Sequence, residues 1–249
     1  MIVQVVGCGV VGSAQAYLME KLGHVVHRYD PPKGMLDFNA NADVMFICVM
    51  EDDVKRAVKE ALDRGFRGLI AVKSTVPVGT TRRLMDETGR HICHNPEFLR
   101  EKHAFQDVLN PGRIVIGECC KEHGDILEEI YGPFRQTTPI FRTDPTTSEL
   151  IKLVTNSLRA INISFWNELY DLCVRCGADI KMIAEAADPG KVLGVWEGGR
   201  FGTRFFGVPY GGKCLPKDLR HLINAFRQHG LNPMVLEAAA AVNRKIGGE

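Results

Sequence analysis

The sequence predicts an α/β fold, with a doubly wound parallel sheet over residues 1–144 followed by an all-helical domain over residues 145–249. Three observations predict it. Short β-rich apolar runs alternate with helical patterns as far as Ile140, at the pitch of strand–helix–strand units. A glycine turn, Gly7-Cys8-Gly9-Val10-Val11-Gly12, joins the first such run to the first helical pattern. From Pro145 onward the strand patterns stop, and apolar residues recur at the spacing of a helix face.

In chain order, residues 3–6 form the first strand, and the helix after the glycine turn runs through Leu22. Residues 25–29 form a second strand, closed by Asp30-Pro31-Pro32. A third apolar run covers 43–50, a helical pattern 51–64, and a strand 68–73 that ends in Ser74-Thr75-Val76-Pro77. Thr75 is also placed to cap a helix beginning after Pro77. After Asn95-Pro96-Glu97-Phe98-Leu99-Arg100-Glu101 come a strand at 113–117, a helix at 121–131 and a strand near Ile140. The long helix-like stretch 148–176 carries Leu150, Leu153, Val154, Leu158, Ile161, Phe165 and Leu169. Residues 194–212 are rich in glycine and aromatics and read as a loop, and helices resume at 218–227 and 233–246.

Lys and Arg total 31 against 30 for Asp and Glu, so no single-sign field argues for nucleic acid or an anionic membrane as a partner. An anionic ligand must be held by local groups. The apolar runs are too short to span a bilayer, and the first six residues run straight into the glycine turn, leaving no room for a signal peptide. A cytoplasmic location is expected. The eight cysteines are scattered through apolar periodic segments, the pattern of reduced thiols rather than of a disulfide framework. Cys173-x-x-Cys176 lies on the long helix without a second such pair or a His pair at ligand spacing, so no metal site is expected. Cys8 and Cys48 read as small buried hydrophobes.

Gly7-x-Gly9-x-x-Gly12 follows a strand and opens a helix, the context in which backbone N–H groups approach a pyrophosphate at a helix amino end. That context makes the sheet Rossmann-like. Asp30 follows the second strand, where a carboxylate can accept hydrogen bonds from both ribose hydroxyls of NAD and would repel a 2′-phosphate. Arg28 and Lys33 stand nearby and are able to serve a phosphate. NAD is the expected cofactor.

Lys152 and Asn156 are four residues apart on the long helix, so they share a face on which their nitrogens can converge on one oxygen. A solvated helix face offers the same pair. Other segments join this pair in a fixed order: Lys73-Ser74-Thr75-Val76-Pro77-Val78-Gly79-Thr80-Thr81, residues 95–101, Glu149-Leu150-x-Lys152-x-x-x-Asn156, Ser164-Phe165-x-Asn167-Glu168, and Gly211-Gly212-x-Cys214-x-Pro216-Lys217-Asp218. With the glycine turn, these six blocks resemble the UDP-glucose/GDP-mannose dehydrogenase family over nearly the whole chain.

The resemblance implies oxidation of a nucleotide sugar's primary alcohol to a carboxylate with two NAD. Asp218, Lys152 and a water near Thr75 are the candidates for the base of the first oxidation. Cys214 would attack the aldehyde, Lys152 and Asn156 would stabilise the oxyanion, and Glu97 would activate the water that hydrolyses a thioester. The cofactor set is Gly7, Gly9, Val10, Val11, Gly12, Asp30, Ser74, Thr75 and Glu101. The substrate set is Glu97, Phe98, Leu99, Lys152, Asn156, Phe206, Tyr210 and Gly211. Glu97 and Glu101 also have the spacing of a like-charged helical face.

Several positions depart from the family pattern. The stretch from Asp30 to Asn41 is short, so a strand or helix of the first domain is expected to be missing. Pro209 stands where the family has glycine, and Lys213 where it has serine. Lys191 is the nearest match to an arginine that the family offers from a partner subunit, and the family's third domain has no counterpart here. The resemblance further implies a homodimer through the 148–176 helix, while Val235, Leu236, Ala239 and Val242 form an apolar face that a separate partner would cover. Two other readings stay open. One is a two-electron hydroxyacid dehydrogenase of the 3-hydroxyacid or 6-phosphogluconate type, and the other is a homologue that binds NAD without catalysis.

Overall fold

A computed structural model describes residues 1–187 and 207–248. The chain divides into two compact units, Met1–Lys152 and Leu153–Glu249. The division falls within the long helix rather than before it, because the first turns of that helix pack in the sheet unit.

The first unit is built on a sheet whose described strands are β1 (Ile2–Val6), β2 (Val25–Asp30), β3 (Met35–Leu36), β4 (Val44–Ile47), β5 (Leu69–Val72), β6 (Ile92–His94), β7 (Ile114–Gly117) and β8 (Ile140–Thr143). Their order is β3-β2-β1-β4-β5-β6-β7-β8, so the chain reverses direction across the sheet between β1 and β4. Such a switch point leaves a crevice at the carboxyl ends of the strands, where open α/β sheets bind ligands. The sheet is not wholly parallel. β3 pairs antiparallel with β2, and β6 meets β7 antiparallel at His94 and Gly117.

Side-chain alternation sorts the strands between two cores. Val3, Val5, Phe46, Leu69, Ala71 and Ile116 pack on one face with helices α1 (Val10–Lys21), α4 (Ala104–Leu109) and α5 (Lys121–Ile130). Met45, Ile47, Ile70, Val72 and Ile92 pack on the other with α2 (Val54–Asp63) and α3 (Thr80–Thr88). Strands buried on both faces read as continuous apolar runs, the signature of a covered sheet.

The short stretch after Asp30 holds more than expected: a 3₁₀ turn at Pro31–Lys33 and then the edge strand β3. Gln4, fully buried in β1, fixes this excursion by accepting the Asn39 N–H at 2.7 Å and donating to the Asp37 carbonyl. Two residues suffice for the strand because the buried amide, not an apolar face, holds the segment.

The second unit contains most of α6 (Pro145–Cys176), with α7 (Ile180–Ala187), α8 (Leu215–Gln228) and α9 (Met234–Lys245). Trp166, Cys173, Ile180 and Ala184 form a small core between α6 and α7. The apolar face expected to lie open on α9 is partly covered within the unit. Leu236 and Ala239 are buried, and the Ser164 hydroxyl donates to the Ala239 carbonyl at 2.8 Å, leaving Val235 exposed. Among the described residues no helix is long and apolar enough to cross a membrane.

Candidate active site

The glycine turn leaves β1 and enters α1 at the switch point. Gly7 has φ +82°, and a Cβ there would lie 2.7 Å from a Val49 methyl. A Cβ on Gly12 would lie 1.8 Å from the Gly7 carbonyl oxygen, so the turn can close only with glycine at both positions. A Cβ on Gly9 would meet nothing within 4 Å, which leaves its face open to a ligand. Val10 and Val11 begin α1, and Val10 is exposed.

Asp30, at the end of β2, accepts the Cys8 N–H at 2.7 Å through Oδ2. Lys33 donates to the Cys8 carbonyl at 2.6 Å and stands 4.0 Å from the same carboxylate oxygen. Arg28 pairs with Glu20 at 2.8 Å. A free phosphate-binding pair is therefore not formed here: one cation is engaged by Glu20 and the other by the turn itself. The open face at Gly9, the closed turn and the acid at the end of β2 fit a dinucleotide with an unphosphorylated ribose.

Ser74 Oγ donates to the Val49 carbonyl at 2.6 Å and so ties the end of β5 to the end of β4. Thr75 is half-buried beside it and caps no helix. α3 begins at Thr80, and its amino end is capped from a distance by Glu149. Glu149 Oε2 accepts the Gly79 N–H at 2.6 Å, while Oε1 accepts the Thr81 N–H and hydroxyl at 2.8 and 2.7 Å. Burial pushes the Glu149 pKa up, against the three hydrogen bonds that favour its carboxylate. His94, at the end of β6, is tied to the same turns of α6 through Ser148 Oγ at 2.8 Å, and burial pushes its pKa down to about 3.

Glu97 follows β6 in irregular chain and is not on a helical face with Glu101, which is exposed at the start of a 3₁₀ turn. Glu97 Oε2 accepts the Leu99 N–H at 2.6 Å, and Oε1 pairs with Lys152 Nζ at 2.9 Å. Their side chains are only 12% and 5% exposed, so this is a buried pair whose charges depend on each other. Lys152 also stands 5.4 Å from the centre of the Phe98 ring. Thus Glu97, Phe98, Leu99 and Lys152 are gathered within the first unit.

In the second unit, Asn156 Nδ2 donates to Asp218 Oδ2 at 2.5 Å, and Lys217 Nζ lies 3.0 Å from Asp218 Oδ1. Asp218 is 1% exposed and occupies the first turn of α8, where a helix end favours negative charge. Its N–H donates to the carbonyl of Cys214, the exposed residue that caps α8. Asn167 holds the segment leading to this thiol: Oδ1 accepts the Gly207 and Val208 N–H groups at 2.7 and 3.2 Å, and Nδ2 donates to the Val208 carbonyl. Asn243 does the same for Tyr210, with bonds of 2.8 and 3.1 Å to its N–H and carbonyl. Gly211 is exposed between these anchors and Cys214. Phe206 and Lys191 lie outside the described residues. All eight cysteines are thiols.

Sequence reasoning gave no role to Glu149, Ser164, Asn167 or Asn243. Their signal was polarity at positions of apolar helices that turn out to be buried.

The central-domain model of the UDP-glucose/GDP-mannose dehydrogenase family matches residues 146–245, and its NAD binding domain model matches 34–135. The chain belongs to this family. A UDP-glucose 6-dehydrogenase of Rickettsia conorii is 38% identical over 224 residues, covering 82% of this chain and 50% of that protein. The structure of a UDP-glucose dehydrogenase from Pyrobaculum islandicum superposes with a TM-score of 0.79 at 29% identity, covering 98% of this chain and 68% of that one. A 3-hydroxyisobutyrate dehydrogenase of Mycobacterium tuberculosis shares the fold, with a TM-score of 0.76 at 18% identity over 98% of this chain and 92% of that one. The chain spans about half the length of the curated relatives it matches. It carries the family's NAD-binding domain.

Proposed function

We propose that this chain provides the NAD-binding and central parts of a nucleotide-sugar 6-dehydrogenase, which oxidises a primary alcohol to the carboxylate through Cys214. The observation that carries the reading is the Asn156–Asp218 hydrogen bond, one turn into the helix that Cys214 caps. It puts a buried carboxylate, an amide and a thiol on two packed helices of one unit.

The Gly7–Gly12 turn and Asp30 would hold NAD, which would supply a hydride acceptor to each oxidation, one NAD for each of the two. Asp218, Lys152 or a water at Thr75 takes the alcohol proton in the first. The Cys214 thiolate then adds to the aldehyde carbon, favoured at the amino end of α8 and by Lys217. Asn156 and Lys152 donate to the resulting alkoxide oxygen. Loss of the second hydride leaves a thioester on Cys214. Glu97 removes a proton from the water that attacks it, which releases the carboxylate and regenerates the thiolate. The buried pairing of Glu97 with Lys152 at 2.9 Å supports these roles, since it brings a carboxylate and an amine together beside Phe98. The exposed row Val154, Leu158, Phe165 and Leu172 along α6 supports a homodimer through this helix.

The test is NADH formed per sugar consumed across UDP-glucose, UDP-N-acetylmannosamine, GDP-mannose and simple hydroxy acids. Two NADH per nucleotide sugar is expected, with acid formation abolished in Cys214→Ala. One NADH per turnover, on a hydroxy acid and undiminished in Cys214→Ala, would instead establish the two-electron dehydrogenase whose fold is shared with the 3-hydroxyisobutyrate enzyme. NAD binding with no reduction by any of these compounds would overturn both.

A further inference from the structure

Away from the glycine turn, the first unit gathers four side chains with the chemistry of metal ligands. His91, Cys119, Cys120 and His123 each place one ligand atom within 4.8 Å of all the others. Their sequence spacing hides this, since His91 is far along the chain from the other three. The antiparallel meeting of β6 and β7 at His94 and Gly117 brings them together. Beyond Gly117 the chain runs back past the residues that precede His94, so Cys119 and Cys120 arrive beside His91. The approach of Cys119 Sγ to Cys93 Sγ, at 3.6 Å, reports the same proximity. α5 then begins at Lys121 and puts His123 in its first turn, with Nδ1 at 3.2 Å from Cys119 Sγ and its ring edge-to-face with that of His91 at 5.4 Å.

We propose that His91, Cys119, Cys120 and His123 form a zinc site that pins the β6–β7 junction to the start of α5. Two sulfurs and two imidazole nitrogens are the donor set of a closed, four-coordinate structural site for a borderline-soft divalent ion. Zn–N and Zn–S bonds of about 2.0 and 2.3 Å in a tetrahedron require ligand atoms roughly 3.3–3.8 Å apart. The Cys119–His123 distance of 3.2 Å is within about 0.3 Å of that geometry, and separations of up to 4.8 Å must close by about 1 Å. Three of the four side chains are half-buried and His91 is exposed, so rotation of side chains supplies this movement without displacing a strand. The guanidinium of the neighbouring Arg90 is itself held by the carbonyls of Phe66, Arg67 and Gly68. Binding transfers the protons of the two thiols to solvent, and four protein ligands leave no position for a reacting water.

The test uses the complete chain, reduced and stripped with a chelator, then titrated with cobalt(II) and zinc(II). One equivalent of cobalt should give the strong visible absorption of a tetrahedral ion with thiolate charge-transfer bands, and one equivalent of zinc should bleach it. Cys120→Ser and His123→Asn should each weaken zinc binding by more than about a hundredfold, beyond the 10–100-fold typical for loss of a group that merely orients a ligand. His91→Ala, at an exposed position, should do the same while far-ultraviolet circular dichroism stays unchanged. Cys176→Ser and Cys214→Ser should bind zinc as the parent does. An octahedral cobalt spectrum, zinc uptake by the His91 and His123 variants equal to that of the parent, or formation of a Cys93–Cys119 disulfide in place of metal uptake would each overturn the proposal.

Discussion

His94 shows how one buried residue can set a pH dependence without taking part in the chemistry. Its ring lies between Ser148 Oγ and the Ser74 carbonyl, and burial lowers its pKa from its ordinary value near 6.5 to about 3. The folded chain therefore keeps the ring neutral where the unfolded chain has begun to protonate it. The stability this supplies is complete above about pH 6.5 and is lost as pH falls from there towards 3, at up to about 1.4 kcal/mol per pH unit. Urea unfolding followed from pH 7.5 to 5 should show a slope steeper by close to one proton in the parent than in His94→Gln. Equal slopes would mean that the ring titrates normally in the fold.

At the scale of elements, the helix α3 depends on a residue that its own sequence does not contain. Glu149 satisfies the N–H groups of Gly79 and Thr81 and the Thr81 hydroxyl. Glu149→Ala leaves these donors buried and unpaired, and should cost about 2 kcal/mol in unfolding free energy. Glu149→Gln keeps one acceptor oxygen and should cost less than half as much. A cost below about 0.5 kcal/mol for the alanine variant would show that water replaces the carboxylate. The same contact explains what could be read in advance. Strands β1, β4, β5 and β7 and helices α1, α2, α5 and α6 are long enough for alternation or helical spacing to declare them. β6 has three residues, Ile92, Cys93 and His94, and β3 has two, both exposed, so neither offers a pattern. Cys214, Asp218, Asn156, Lys152 and Glu97 were readable as candidates because they stand in ordered motifs. The contacts of Asn167, Asn243 and Glu149 are hydrogen bonds across more than thirty positions of sequence, and His91 joins Cys119, Cys120 and His123 only through an antiparallel register; spacing along the chain declares neither.

For the whole molecule, α6 poses a question of partnership. Leu153, Ala160, Ile163 and Trp166 are buried within the chain, yet Val154, Leu158, Phe165 and Leu172 remain exposed. Numbered along the helix, the exposed residues recur after four residues and then after multiples of seven. With Ile161 between Leu158 and Phe165, they form one seam at the alternating spacing of three and four that packs helix on helix. A second copy of the chain satisfies such a seam by two-fold symmetry, each α6 presenting the same residues to the other. Burial of four large side chains from each protomer, at about 1.5–3 kcal/mol apiece, is enough to hold a dimer at micromolar concentration after the entropic cost of association. Sedimentation should therefore find a dimer for the parent chain. Leu158→Glu combined with Phe165→Glu should give a monomer that is still folded by circular dichroism and still binds NAD, because both positions lie outside the sheet unit. A monomeric parent would overturn the seam as an interface, and a double variant that stays dimeric would place the interface on another surface.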